Sequence, residues 1–375
     1  MKIAILTQPL GKNYGGMMQA YAFQKVLRDL GHDVTTIDYN FRGSNFFYKV
    51  ARLSYRFFQK LTGTRKAPIN IEAKLPYILA NTREFIKKNI SISEYIDNDA
   101  ALNKHFNANN YDAVIVGSDQ TWRTKYSPNI YNFYLDFLKQ NIKIKKIAYA
   151  SSFGVDSWEY TEEETVKCSE LAGLFDSISV REESGVELCT KQLNVESECV
   201  LDPTLLLSKE AYIELLGDKY KAGKSEGVFT YVLDKSKSKM VVAENVGKQL
   251  GSHIFKCQAN FSLGSLDARS LQDYKMPAVQ DWLVSFANAE FVVTDSFHGM
   301  VFSIIFEKPF LVIVNKKRGS ARFESLLNKL QAQQYLIYDI KDIDYTQLNS
   351  IKLVDKTILN ELRKGSFDFI RESLS

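Results

Sequence analysis

The segment Phe291-Val-Val-Thr-Asp-Ser-Phe-His-Gly-Met300 carries the strongest structural signal in this chain of 375 residues. Its short apolar run, Phe291–Val293, predicts a buried strand, and the apolar stretch Met300–Phe306 predicts a packed helix. His298 therefore lies on a turn between a strand and a helix. In an open α/β sheet, ligands bind at this position, outside the carboxyl ends of the strands.

The turn also has the chemistry of an anion-binding site. A helix that begins there directs free N–H groups and the positive end of its dipole into the crevice. Ser296 is the expected N-cap, and Gly299 allows the backbone to approach a ligand closely. Histidine is a side chain suited to proton transfer, so His298 beside this helix start indicates chemistry on an anionic substrate.

Size and composition limit the class of protein. The length fits two domains of ordinary size, and 45% apolar residues argue against disorder. The net charge of +4 does not indicate nucleic-acid binding. Four cysteines without paired spacing predict a reducing compartment and no structural zinc. No apolar run approaches the length of a membrane span or a secretory signal, so we expect a cytoplasmic protein.

The chain begins with a βαβ pattern. Lys2–Leu6 predicts a strand, Met17–Leu30 a helix and Val34–Tyr39 a second strand, joined by a glycine-rich turn that lacks the G-x-G-x-x-G pattern of dinucleotide sites. Later strands end in small or charged residues, at Tyr111–Val116, Ile144–Ala150 and Ser177–Val180. A second α/β set begins at Val228. We therefore expect an α/β fold of two Rossmann-like domains facing across a cleft, residues 1–205 and 206–375, with C-terminal helices in the second.

Residues 41–66 form an insert in the first domain and predict a basic amphipathic helix. Apolar residues fall on one helical face and cations recur along its flank: Phe46, Val50, Leu53, Phe57 and Leu61, with Lys49, Arg52, Arg56 and Lys60. This pattern is typical of a helix on an anionic membrane surface. The alternative is a helix packed on its own domain with cations that extend to solvent.

An ordered set of motifs resembles the polysaccharide pyruvyl transferase family from about Ile3 to about Phe323. The motifs are Asn13-Tyr-Gly-Gly16 with Gln19-Ala-Tyr21, Val116-Gly-Ser-Asp-Gln-Thr-Trp122, Tyr149-Ala-Ser-Ser-Phe-Gly154, Ser179-Val-Arg-Glu182, Leu201-Asp-Pro-Thr204 and Thr294-Asp-Ser-Phe-His-Gly-Met300. The resemblance implies a GT-B-like fold. It also implies transfer of the pyruvyl group of phosphoenolpyruvate onto two sugar hydroxyls, giving a cyclic ketal and phosphate. The family's functional histidine matches His298, and the chemistry requires no metal or cofactor.

Phosphoenolpyruvate needs cations and N–H groups for its carboxylate and phosphate. Arg181 is the first choice among the cations, although an ion pair with its neighbouring glutamates is the alternative. The loop and helix after the strand Pro309–Val314 offer further cations that could equally be solvated. The expected donor-binding residues are Arg181, Ser296, Gly299, Lys316, Arg318 and Arg322.

The sugar needs a base for its attacking hydroxyl and a surface on which to bind. Asp119 could be that base or could cap the next helix, and Asp295 is the alternative base. Other residues suit hydrogen bonding, sugar stacking or close backbone approach, although the glycines could simply form a tight turn. The expected acceptor-binding residues are Asn13, Gly15, Gly16, Gln120 and Trp122.

The sequence thus predicts a pyruvyltransferase that modifies the precursor of a cell-surface polysaccharide, such as an exopolysaccharide or capsule. If the basic helix meets the inner membrane face, the acceptor is expected to be a lipid-linked oligosaccharide. A GT-B glycosyltransferase that uses a nucleotide sugar, or a sugar-binding protein without activity, remains an alternative.

Overall fold

A computed structural model describes residues 1–40, 46–64, 68–70, 72–261, 270–314 and 319–375. Within this part of the chain, two parallel sheets are flanked by helices. The strands of the N-terminal sheet are β1 Lys2–Leu6, β2 Asp33–Thr36, β3 Ala113–Val116, β4 Lys145–Ser151, β5 Ser177–Val180 and β6 Glu198–Cys199. Those of the C-terminal sheet are β7 Val228–Tyr231, β8 Ile254–Phe255, β9 Phe291–Thr294, β10 Phe310–Ile313 and β11 Leu336–Ile337.

The α-helices cover the faces of these sheets. In the N-terminal half they are α1 Tyr14–Asp29, α2 Phe46–Leu61, α3 Leu75–Ile78, α4 Ala80–Asn89, α5 Asp99–Ala108, α6 Glu162–Ala172, α7 Glu183–Leu188 and α8 Pro203–Leu206. They continue as α9 Lys209–Leu216, α10 Lys237–Leu250, α11 Val279–Asn288, α12 Phe297–Ile305, α13 Ala321–Lys329 and α14 Lys356–Leu374. Strands such as β3 and β9 are buried at every residue, as expected of parallel strands with helices on both faces.

Each sheet contains a point where the strand order reverses. The N-terminal order is β2-β1-β3-β4-β5-β6, so consecutive connections leave β1 in opposite directions. The C-terminal order is β11-β10-β9-β7-β8, and the reversal there lies between β7 and β9. Such reversals open a crevice at the carboxyl ends of the strands. A functional site is therefore expected at the loops after β1, β3, β7 and β9.

The last helix, α14, crosses back to the N-terminal domain. The hydroxyl of Ser366 accepts a hydrogen bond from the Leu201 N–H at 3.0 Å. The ring of Phe369 lies 6.1 Å from that of Tyr149 on β4. The sequence placed C-terminal helices in the second domain, and the structure corrects this for α14, because its apolar face packs against the first sheet.

Helix α2 forms as its sequence pattern predicts, but its apolar residues do not enter the core. The exposed apolar side chains are Val50, Leu53, Tyr55, Phe57, Phe58 and Leu61. Arg56 bonds Glu72 at 3.1 Å, which ties the helix to the segment before α3. The side chains of Phe46, Lys49 and Arg52 lie outside the described part of the helix. Among the side chains that the structure describes, the apolar face of α2 does not pack on the protein's own core. The alternative interpretation of this helix is therefore wrong.

Candidate active site between the two sheets

His298 occupies the first turn of α12 and is buried against α1. Ser296 caps α12, its hydroxyl accepting from the Gly299 N–H at 3.3 Å. A Cβ atom placed on Gly15 would lie 2.0 Å from Nδ1 of His298. Glycine is therefore required at position 15 because the start of α1 lies directly against the imidazole. Gly299 has a packing role as well, since a Cβ there would lie 2.1 Å from the Thr294 hydroxyl.

Asp202 is the centre of the buried polar network around this histidine. Its Oδ2 lies 3.6 Å from Nε2 of His298 and accepts from Nη1 of Arg181 at 2.7 Å. Gln19 Nε2 donates to the same oxygen, and the Thr204 N–H donates to Oδ1 at 3.0 Å. Burial raises the pKa of Asp202, but the interactions with His298 and Arg181 outweigh burial and hold that pKa well below its usual range. The residue is thus a buried carboxylate.

Asp202 was not among the site residues predicted from the sequence, because its partner His298 lies far from it in the chain. Its place among the family motifs was the available signal. The Asp-Pro pair is explained locally, since Asp202 also caps the short helix α8 through the Thr204 N–H.

Two buried arginines flank the ring of Phe297. The guanidinium carbon of Arg181 lies 4.7 Å from the ring centroid, and that of Arg322 lies 5.7 Å from it. Burial and the nearby charge of Arg181 lower the pKa of Arg322 to about 10. Among the described residues, Nε and Nη2 of Arg181 have no hydrogen-bond partner. An anion would satisfy these donors and offset the burial of the two charges.

The structure places Arg181 and Arg322, two of the residues predicted to bind the donor, around the ring of Phe297. The alternative given for Arg181, an ion pair with its neighbouring glutamates, does not form. Its ion pairs are with Asp202 at 2.7 Å and Asp119 at 3.9 Å. Lys316 and Arg318, the other two expected cations, lie outside the described residues.

Asp119 follows β3 and faces the N-terminus of α1. Its backbone has φ +82°, a conformation that side-chain-bearing residues rarely adopt outside functional or tightly packed sites. Its Oδ1 lies 3.9 Å from Nη2 of Arg181, and a Cβ on Gly16 would lie 3.4 Å from its Oδ2. The residues that directly follow Asp119 form turns and not a helix. The alternative role of Asp119 as a helix cap is therefore wrong.

Asp295, the alternative base, has both oxygens engaged. They accept from the N–H groups of Leu233 and Asp234 at 2.6 and 3.0 Å, and from Lys239 Nζ at 2.7 Å. The carboxylate therefore holds the loop after β7 against the turn before α12.

One of the expected acceptor residues, Trp122, is placed differently from the prediction. Trp122 is 0% exposed, its ring stacks on Tyr134 at 4.8 Å, and its Nε1 donates to the Phe133 carbonyl. The prediction that this ring stacks on a sugar is wrong, because the core covers the ring. Gln120 accepts from Arg123 Nη1 at 3.1 Å through its side-chain oxygen.

A cavity of about 660 Å³ opens between the loop after β1 and the loop after β7. Its walls come from both halves of the chain and include Asn13, Tyr14, Tyr231, Asp234, Gln258 and Phe261. Asn13 caps α1 by accepting from the Gly15 N–H at 3.0 Å, so the cavity wall and the residue that touches His298 belong to one turn. Within the described residues, no cluster of histidine, cysteine or acidic side chains could hold a metal ion.

A family model for polysaccharide pyruvyl transferase matches residues 13–317, a range that contains Gly15, Asp119, Arg181, Asp202 and His298. This chain belongs to the polysaccharide pyruvyl transferase family. No curated protein matches it significantly.

Two solved structures have a similar fold. UDP-GlcNAc 2-epimerase from Neisseria meningitidis, bound to UDP-GlcNAc, is 10% identical, with a TM-score of 0.51 over 99% of this chain and 100% of that one. Arabidopsis thaliana UGT89C1, complexed with UDP-L-rhamnose, is 11% identical, with a TM-score of 0.50 over 99% and 97%. At this identity the likeness concerns the fold, which is GT-B-like in this pyruvyl transferase family member.

Proposed function

We propose that this protein transfers the pyruvyl group of phosphoenolpyruvate onto two hydroxyls of one sugar, forming a cyclic ketal and releasing phosphate. Family membership supports a polysaccharide pyruvyltransferase. The observation that carries the choice of donor is the contact of His298 with buried Asp202 beside two buried arginines, Arg181 and Arg322.

The arginines suit the two anionic groups of the donor. Phosphoenolpyruvate carries a carboxylate and a phosphate, and guanidinium groups bind both through paired hydrogen bonds. The N-terminus of α12 adds a favourable dipole for the phosphate. Because burial lowers the pKa of Arg322, a bound anion would stabilise the charged form of that side chain.

The chemistry follows from the same residues. Protonated His298, held by the carboxylate of Asp202, donates its proton to the methylene carbon, so that C2 accepts the first sugar hydroxyl. Asp119 takes the proton of that hydroxyl and returns it to the imidazole. The bond from C2 to the phosphate oxygen then breaks. The second hydroxyl attacks C2, and its proton leaves with the phosphate. We assign the base to Asp119 rather than Asp295, because both oxygens of Asp295 are engaged.

We further propose that the sugar belongs to a lipid-linked oligosaccharide and that α2 binds the inner face of the membrane. Exposed Phe57, Phe58 and Leu61 support this proposal, as does the absence of acidic residues from the α2 sequence, which contains four cations. In the described part of the chain, no helix has the length and apolarity of a transmembrane span. Contact would therefore be peripheral.

The decisive experiment incubates the protein with phosphoenolpyruvate labelled in the pyruvyl carbons and a panel of lipid-linked glycans. We expect label in an acid-labile glycan product, one phosphate released for each label transferred, and loss of both in His298→Ala. Transfer that depends on a nucleotide sugar and not on phosphoenolpyruvate would overturn the proposal. It would favour a glycosyltransferase instead.

A further inference from the structure

We propose that the 660 Å³ cavity beside Asn13 and Tyr14 binds uncharged sugar units of the acceptor. These units would be the neighbours of the sugar that receives the pyruvyl group. This inference rests on the proposed function, because it extends the acceptor site of that reaction. It moves acceptor binding away from Gln120 and Trp122 to residues that the sequence did not single out, above all Phe261 and Gln258.

The position of the cavity fits such a role, because residues from both domains that are next in the chain or hydrogen-bonded to the surroundings of His298 line it. On one side, Tyr14 lines the cavity while the next residue, Gly15, lies against the imidazole. On the other side, Leu233 and Asp234 line it while their N–H groups bond Asp295, in the turn that leads to His298. A chain of sugars in the cavity would therefore end near the imidazole.

Half of the apolar residues that line the cavity are aromatic. Tyr14 stacks on Trp282 at 5.0 Å, and Tyr231 and Tyr274 are nearly buried, so these rings are held in place by packing. Phe261 differs, because it is 50% exposed with its ring 5.7 Å from that of Tyr274. An exposed ring at the edge of rigid aromatic walls offers a free face to the C–H surface of a sugar.

The polar groups on the walls suit hydroxyl partners. Asn13 and Gln258 supply amide groups, which can bond a hydroxyl. The amide of Asn260 is already engaged, because it donates to Asp273 at 2.9 Å and accepts from Lys256 at 3.2 Å. Gln258 Nε2 donates to the Val232 carbonyl at 3.0 Å, while its Oε1 has no hydrogen-bond partner among the described residues.

The charges on the walls argue against a nucleotide diphosphate. Nζ of Lys235 is already committed to the carbonyls of Ala259 and Asn260, at 2.7 and 2.9 Å. Lys12 is the other lining cation, and Asp234, whose carboxylate lies 3.6 Å from Lys239 Nζ, also lines the space. A diphosphate needs several available cations or N–H groups, whereas a neutral sugar does not. The volume is within the range of small-molecule sites and exceeds what a single sugar unit requires.

The test uses the full chain with two variants of the cavity, Phe261→Ala and Ala259→Phe. The first removes the exposed ring, and the second fills the space. Tyr338→Ala is the matched control, an exposed aromatic residue that follows the far edge strand β11 of the same sheet. We expect the acceptor KM to rise roughly tenfold in both cavity variants, the effect of losing one good contact, with the phosphoenolpyruvate KM unchanged.

A binding measurement without turnover separates this inference from the proposed function. The intrinsic fluorescence of Trp282, which stacks on Tyr14, is titrated with an array of neutral oligosaccharides and with UDP. Saturable oligosaccharide binding that Phe261→Ala weakens supports the cavity even if no pyruvyl transfer occurs. Binding of UDP but not of oligosaccharides overturns it. So does pyruvyl transfer whose acceptor KM is unchanged in both cavity variants, or the absence of binding to any probe.

Discussion

Nε2 of His298 lies 3.6 Å from Oδ2 of Asp202, and the two residues come from opposite halves of the molecule. Asp202 follows the last strand of the N-terminal sheet, and His298 follows β9 of the C-terminal sheet. The same carboxylate binds Arg181 at 2.7 Å. The relative position of the two sheets therefore controls whether the imidazole has its anionic partner.

Asp202→Asn should reduce both activity and stability. The change removes the carboxylate that faces His298 and leaves the Arg181 guanidinium buried without its ion-pair partner. We expect kcat to fall by about 10²-fold or more and the free energy of unfolding to fall by roughly 3 kcal/mol. Steady-state kinetics and denaturant unfolding measure these effects. A variant with wild-type kcat would contradict the role given to Asp202.

The stability contributed by Asp202 should depend on pH. Its folded-state pKa is lowered, so its contribution is complete above the unfolded value near 3.8 and is lost as pH falls toward the folded value. The difference in unfolding free energy between wild type and Asp202→Asn should thus shrink as pH falls from about 4 toward 2. Urea unfolding across this range provides the measurement. A difference that grows over this range would show that folding raises the pKa of Asp202.

Arg322→Met should separate ligand binding from stability. Burial and Arg181 lower the pKa of Arg322, so its charge is costly in the unliganded protein. We expect the unliganded variant to be at least as stable as wild type, while the KM for phosphoenolpyruvate rises about tenfold or more. Thermal unfolding with and without phosphoenolpyruvate should show a smaller ligand-induced increase in Tm in the variant than in wild type. An equal increase in the variant would exclude Arg322 from the donor site.

Gly15→Ala should damage the site through the backbone. The new Cβ would lie 2.0 Å from Nδ1 of His298, so α1 or the imidazole must move. We expect at least a tenfold loss of kcat with native secondary structure by circular dichroism. Gly365→Ala in α14 is the matched control, because no atom lies within 4 Å of its Cβ position. That variant should gain up to about 1 kcal/mol of stability with unchanged kinetics. Equal activity of the two variants would contradict close packing at Gly15.

Replacement of Phe57 and Phe58 by glutamate should abolish membrane binding. Both rings are exposed on α2, and the new charges would oppose insertion among lipid headgroups. We expect wild type to float with vesicles containing phosphatidylglycerol and the double variant to remain unbound. Ile142→Glu, at a residue 92% exposed elsewhere, is the control and should float as wild type does. Equal flotation of wild type and the double variant would rule out the proposed contact.

Local signals in the sequence were reliable where neighbouring residues decide the structure. The apolar run Phe291–Val293 became β9, and Ser296 became the cap of α12, because strand burial and helix capping involve residues a few positions apart. The pattern of α2 also predicted its helix. Its exposure could not be predicted, since an apolar face looks the same in sequence whether or not another element covers it.

Long-range placement explains the errors. The position of Trp122 after a strand predicted a sugar-stacking residue. Its ring is instead in the core, where it stacks on Tyr134. Helix α14 belongs by sequence order to the second domain but packs against the first sheet.

By itself, the sequence determined the parallel α/β character of both halves, the turn that carries His298, and membership of the family, since periodicity, caps and motif order are local properties. Only the tertiary structure decided which charges meet. Asp202 lies next to His298, Arg322 joins Arg181 on Phe297, and Asp295 is engaged by Lys239, because two sheets bring together residues far apart in the chain. The free energy of such buried charge contacts depends on distance and desolvation, which residue order does not specify.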